Sequence, residues 1–82
     1  MQVLYFAWLR ERVGAASEEI DPGAAATPRE LVERLAASEP RYAAAFADMA
    51  AVRVAVDQEM GDLDTPIAGA REVAFFPPVT GG

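Results

Sequence analysis

Seven apolar residues in a row, Val3-Leu4-Tyr5-Phe6-Ala7-Trp8-Leu9, constrain the fold more than any other stretch of this chain. A strand with one face on a core and the other in water alternates apolar with polar side chains. This run does not alternate: Val3, Tyr5 and Ala7 are apolar, and so are Leu4, Phe6 and Trp8 between them. Read as a strand over residues 2–9, it belongs at the centre of a sheet, or it carries a second face that a partner covers. It is too short to span a bilayer. A strand pattern that begins at once leaves no room for a leader, so the expected location is cytoplasmic.

The remaining elements follow in order. Arg10-Glu11-Arg12 reads as a solvated charged segment, and Gly14 as a turn. Residues 17–20 suit a short second strand, and Asp21-Pro22-Gly23 is turn chemistry. Thr27-Pro28-Arg29-Glu30 is the clearest local signal: Thr27 caps, Pro28 takes the first helical position, and Glu30 completes a capping box. Leu31, Val32 and Leu35 then share one face of an amphipathic helix that stops before Pro40. Residues 42–50 suit a short second helix with Tyr42 and Phe46 paired at i and i+4. Val52, Val54 and Val56 line one face of a strand, Asp57-Gln58 turns it into a short strand near Met60, and residues 61–66 form a loop. Ile67 is expected in the core, Ala68-Gly69-Ala70 turns, and Glu72–Phe76 is the last strand.

What the chain lacks narrows its chemistry. It has 82 residues, enough for one small domain. It contains no cysteine and no histidine, so disulfides, thiol chemistry and the commonest general base and zinc ligand are all missing, and no metal site is expected. All seven basic residues are arginine, so there is no lysine for a Schiff base or a side-chain isopeptide. A net charge of −6 argues against nucleic acid and anionic membranes. The reactive position left is the end of the chain, Pro77-Pro78-Val79-Thr80-Gly81-Gly82. Prolines favour an extended backbone that holds the end away from the body, and two glycines present no side chain to a narrow channel. A carboxylate on such a stalk suits an adenylating enzyme.

Three stretches carry a resemblance: Val73-Ala74-Phe75-Phe76-Pro77-Pro78-Val79-Thr80-Gly81-Gly82 at the end, Val3-Leu4-Tyr5-Phe6-Ala7 with Arg10-Glu11 and Val13-Gly14 at the start, and Val54-Ala55-Val56 between. The chain resembles the small subunits of molybdopterin synthase (the MoaD family), which are ubiquitin-like sulfur carriers. The resemblance implies an α+β, β-grasp (ubiquitin-like) fold: a mixed five-stranded sheet with one main helix on one face and a short second helix. Residues 1–76 would form the domain and residues 77–82 the tail, with the first and last strands parallel at the sheet centre. It further implies that Gly82 is adenylated and converted to a thiocarboxylate that gives its sulfur to cyclic pyranopterin monophosphate. Pro77, Pro78, Val79, Thr80 and Gly81 would thread into partners, and Phe6, Met60 and Phe76 would form the docking patch. The implied partners are the large synthase subunit, in a two-plus-two complex, and a ubiquitin-activating-type adenylating enzyme. The resemblance implies no bound cofactor, ATP used by the activating enzyme, and catalytic groups that lie on the partners.

The chain departs from that family at two turns. Val56-Asp57 stands where Val-Asn is usual, and Gly69-Ala70-Arg71-Glu72 where Asp-Gly-Asp-Glu is usual. The second change puts alanine at a glycine position, which is strained if that position needs a positive φ. Three other readings fit a Gly-Gly end: a carrier for another pathway of the thiamine type, a protein modifier joined through Gly82 to lysines of other proteins, and an inert ubiquitin-like binding module.

Overall fold

The apolar run changes period partway. In the computed structural model, which describes residues 1–78, its first part is strand β1 (Gln2–Tyr5) and its last part opens helix α1 (Trp8–Val13). The expected strand over residues 2–9 is therefore too long. Leu9 and Val13, spaced i and i+4, bury one side of α1, while Arg10, Glu11 and Arg12 stay in water. Gly14 ends the helix at φ 89°, a left-handed position that glycine takes without a Cβ penalty. A helix of six residues is stable only through such packing.

The rest keeps the expected order: β2 (Ser17–Glu19), α2 (Pro28–Ser38), α3 (Pro40–Ala45), a 3₁₀ turn (Met49–Ala51), β3 (Arg53–Val56), β4 (Glu59–Met60) and β5 (Glu72–Phe76). Thr27 caps α2, its hydroxyl accepting from the Glu30 N–H at 3.2 Å. The Glu30 carboxylate accepts from the Ala26 N–H at 3.1 Å, one residue earlier than in an ordinary capping box. Glu39 is extended because Pro40 follows it, so one residue ends α2 and begins α3. The second helix thus starts at Pro40 and stops at Ala45, earlier at both ends than its alanine content suggests.

The sheet runs β2-β1-β5-β3-β4, with β1 and β5 parallel at the centre and the other pairs antiparallel. This is the β-grasp arrangement. Val3, Tyr5, Val54, Val73 and Phe75 face the helices and join Leu31, Val32, Leu35, Phe46 and Ile67 in one core. At its middle Phe46 meets Phe75 edge-on, centroids 5.0 Å apart, and Tyr5 stacks on Phe75 at 6.4 Å. Removing a fully buried ring such as Phe75 would cost about 3–5 kcal/mol, a large fraction of the stability of a domain this size.

A polar cluster ties the N-terminal elements together. The Tyr5 and Tyr42 hydroxyls donate to Glu18 Oε1 at 3.1 and 2.6 Å. Arg41 Nη2 donates to Glu18 Oε2 and to the Tyr42 hydroxyl, and Nη1 donates to the Val13 carbonyl. β1, β2, α1 and α3 are thereby joined, and no buried side-chain nitrogen or oxygen among the described residues lacks a partner. Burial pushes the Glu18 carboxyl up, but the hydrogen bonds from Tyr42, Arg41 and Tyr5 outweigh it and hold the pKa below the ordinary glutamate value. Burial and the bond to Glu18 push Tyr42 up to about 12.

Three non-glycine residues among those described have positive φ: Ala7, Asp57 and Gln58. Asp57 (φ 49°) and Gln58 (φ 69°) form the two-residue β3–β4 turn of type I′. Asp57 is also bonded there, its carboxylate accepting from the N–H groups of Arg71 and Glu72 at 2.8 and 3.0 Å. In the turn before β5 the positive φ (75°) belongs to Gly69, so Ala70 occupies the family's glycine position without strain.

Two outcomes are expected. Gln58→Gly gives the turn its preferred second residue, and urea unfolding should show a gain of about 0.5–1 kcal/mol, net of the freedom glycine adds to the unfolded chain; a loss would mean the Gln58 side chain stabilises the hairpin. For Glu18, a carboxyl lowered in the folded state adds stability that is complete above its unfolded pKa of about 4.3 and is lost as pH falls through the lower folded value. Glu18→Gln should be less stable at pH 7 by about 1–3 kcal/mol and should lose less than wild type between pH 5 and about 2. Equal acid losses in the two proteins would remove Glu18 from the proton linkage.

Candidate functional site

The helices cover one face of the sheet. On the other, strand register sets Leu4 beside Ala74, Ala74 beside Ala55, and Ala55 beside Met60, one lateral row across four strands. Phe76 lies two residues further along β5 on the same face. The result is a shallow apolar trough with Ala55 and Ala74 as its floor and Leu4, Phe6, Met60, Phe76 and Pro77 around it; Gln58 and Glu72 close one end. Ala74 is buried yet lies outside the core cluster, because flanking side chains on the open face shade it.

Phe6 and Met60 are the two large apolar side chains most open to water among the described residues, 48% and 70% exposed. Phe6 is not in the strand. Its N–H donates to the Phe75 carbonyl at 3.1 Å, extending the parallel ladder by one bond, and its carbonyl accepts from the Leu9 N–H at 3.1 Å. That second bond closes a four-residue turn from Phe6 to Leu9. Ala7 sits in it at φ 53°, ψ −131°, the first central position of a type II′ turn, where glycine is usual. A non-glycine residue there stores about 1–3 kcal/mol of strain. Trp8, next in line, is half-buried, and the Arg12 guanidinium lies 4.6 Å from its ring centre.

Of the residues named from sequence, Phe6, Met60, Phe76 and Pro77 meet at this trough, and Pro78 follows Pro77, half-buried. Val79, Thr80, Gly81 and Gly82 lie outside the described residues. Leu4, Ala55, Ala74 and Gln58 were not anticipated. The signal for Leu4 was the doubly apolar run; Ala55 and Ala74 alternate with core residues and could have been found by the period of two. Elsewhere, in the cleft beside Arg29, Asp64 holds the Arg29 guanidinium with two bonds of 3.0 and 3.2 Å. Among the described residues no cluster of His, Cys, Asp or Glu is able to hold a metal ion, and no helix is long and apolar enough to cross a membrane.

Because Met60 touches water and not the core, Met60→Gln should change unfolding stability by no more than about 0.5 kcal/mol while reducing the fluorescence of a hydrophobic dye bound to the protein. Unchanged dye binding would show that the trough does not present an accessible apolar surface.

Comparison with known proteins bears on both fold and site. Residues 3–82 match the ThiS family. The molybdopterin synthase sulfur carrier subunit of Escherichia coli strain K12 is 40% identical over 82 residues, which cover 100% of this chain and 99% of that one. The subunit of the same name from Haemophilus influenzae is 34% identical, with the same coverage. Among solved structures, small archaeal modifier protein 1 of Haloferax volcanii superposes with a TM-score of 0.70 at 28% identity, over 96% of this chain and 97% of its own. A match that begins in β1 and runs through the Gly-Gly end, together with these full-length relatives, shows that the chain belongs to the ThiS family.

Proposed function

We propose that this chain is a cytoplasmic sulfur carrier in molybdenum cofactor biosynthesis, the small subunit of a molybdopterin synthase, with the sulfur carried on the Gly82 carboxylate. The observation that carries the reading is a juxtaposition. The apolar trough opens where β5 ends, and the chain continues from there through Pro77 and Pro78 toward Gly81-Gly82. A partner seated on the trough would have the tail beside its own reactive pocket. The full-length relative in Escherichia coli, named as a sulfur carrier subunit, supports the pathway.

The chemistry has three steps. A ubiquitin-activating-type enzyme joins the Gly82 carboxylate to the AMP part of ATP and releases pyrophosphate, which turns a poor electrophile into a mixed anhydride. A hydrosulfide equivalent attacks the acyl carbon and AMP leaves, giving a thiocarboxylate. On the large synthase subunit that sulfur passes to cyclic pyranopterin monophosphate, and water returns the carboxylate. The side chains of this protein contribute docking. Phe6, Met60 and Phe76 bury apolar area against each partner in turn, and Pro77, Pro78, Val79, Thr80 and Gly81 thread the tail. The assembly is two copies of each subunit.

A second reading is favoured by one observation, the likeness to an archaeal protein named as a modifier. In that reading the same adenylate is captured by a lysine of another protein instead of by sulfur. The two are separated by intact mass after incubation with ATP, a sulfide source and the host's adenylating enzyme. A gain equal to exchanging one oxygen for sulfur, abolished by deleting Gly82, is expected. No gain, with the enzyme active on another carrier, would reject the sulfur-carrier reading, and Gly82 isopeptides in a lysate would then support the modifier. Phe76→Arg should abolish measurable docking on both partners, and normal binding by that variant would remove the trough from the interface.

A further inference from the structure

We propose that Ala7 is a positioning residue, whose strained turn fixes the Phe6 ring on the rim of the trough in the orientation a partner meets. This rests on the docking face proposed above. Strain and exposed apolar surface coincide here. Of the three non-glycine residues with positive φ among those described, Ala7 directly follows Phe6 and Gln58 lies two before Met60, and Phe6 and Met60 are the exposed large apolar side chains of the described residues. The two cases differ in what else holds the ring or chain. Met60 is in β4, in register with Ala55 and followed by a bond from the Gly61 N–H to the Val54 carbonyl, so the ladder fixes it. Phe6 stands past the end of β1 with its ring half in water, and only its own N–H and carbonyl are tied.

The angle at which the chain leaves Phe6 is therefore set by the residue after it. At Gly14 and Gly69, where the chain also bends with a positive φ, it uses glycine. Ala7 is exposed, and its methyl group is not part of the core cluster. What the methyl group does is narrow the accessible backbone: alanine at positive φ occupies a small well, glycine a broad one. A ring held in one orientation before binding loses less freedom on binding. A glycine here would relax the turn and loosen Phe6 together.

The test measures affinity of the full-length chain for the large synthase subunit of the same organism by calorimetry, alongside urea unfolding. Ala7→Gly is expected to weaken binding about three- to tenfold, with an unfolding midpoint equal to or above wild type. Replacement of Ala7 by D-alanine, which prefers positive φ yet stays narrow, is expected to restore wild-type affinity and raise the midpoint. Phe6→Ala is expected to weaken binding tenfold or more, and adding Ala7→Gly to it should cost nothing further. Wild-type binding by Ala7→Gly, with Phe6→Ala weak, overturns the positioning role and leaves the docking face standing. Wild-type binding by Phe6→Ala overturns the docking role of Phe6 itself. A loss from Ala7→Gly that persists without the Phe6 ring assigns Ala7 a contact of its own and also overturns the proposal.

Discussion

The parallel pairing of β1 with β5 is the constraint on which the rest depends. Four registered pairs, from Gln2–Glu72 to Tyr5–Phe75, bring strands from opposite ends of the sequence to the centre of the sheet. A parallel pair needs a long crossover, and the residues between supply it as α2 and α3, which then cover one face. Three of the four aromatics in the core cluster refer to this seam: Tyr5 and Phe75 lie on it side by side, and Phe46 closes over Phe75. Because both strands are central, each has two neighbours and two covered or coverable faces, which explains why neither alternates apolar with polar.

The open face follows from the same seam. Leu4 and Ala74 are a registered pair on the side the helices do not reach, and Ala55 continues the row. The floor is of small residues while the rim is of large ones, so the surface is concave without any loop folding over it. Its apolar character is paid for in solubility, and the six excess negative charges of the chain offset that cost.

Much of this was legible in the sequence because the local signals agreed with the global fold. Thr27-Pro28 with Glu30 marked the start of α2, alternating valines marked β3, and the Phe-Phe-Pro-Pro-Val-Thr-Gly-Gly end marked the family. What was not legible had a common cause. Residues 2–9 are apolar throughout, so the switch from a period of two to 3.6 leaves no contrast, and α1 was absorbed into β1. The i, i+4 spacing of Leu9 and Val13, with Gly14 after it, was the available signal. Alanine runs blurred α3 in the same way, because alanine marks neither face. The strained turn at Ala7 had no sequence signal, since alanine is an unremarkable residue in any other conformation. The capping side chain of Asp57 on the turn before β5 joins residues far apart in sequence, and only the folded register brings them together.

The central position of β5 also has a consequence in time. Until Glu72–Phe76 has left the ribosome, β1 and β3 each lack a neighbour, the aromatic seam lacks Phe75, and the sheet cannot close. Pairings this distant in sequence form late in any folding route. A chain cut short before residue 72 would lack the central strand and leave the facing edges of β1 and β3 unpaired. Completion of the fold and delivery of the residues that follow β5 are coupled in synthesis, so the population of folded molecules is self-selected for those whose translation has reached the base of the tail.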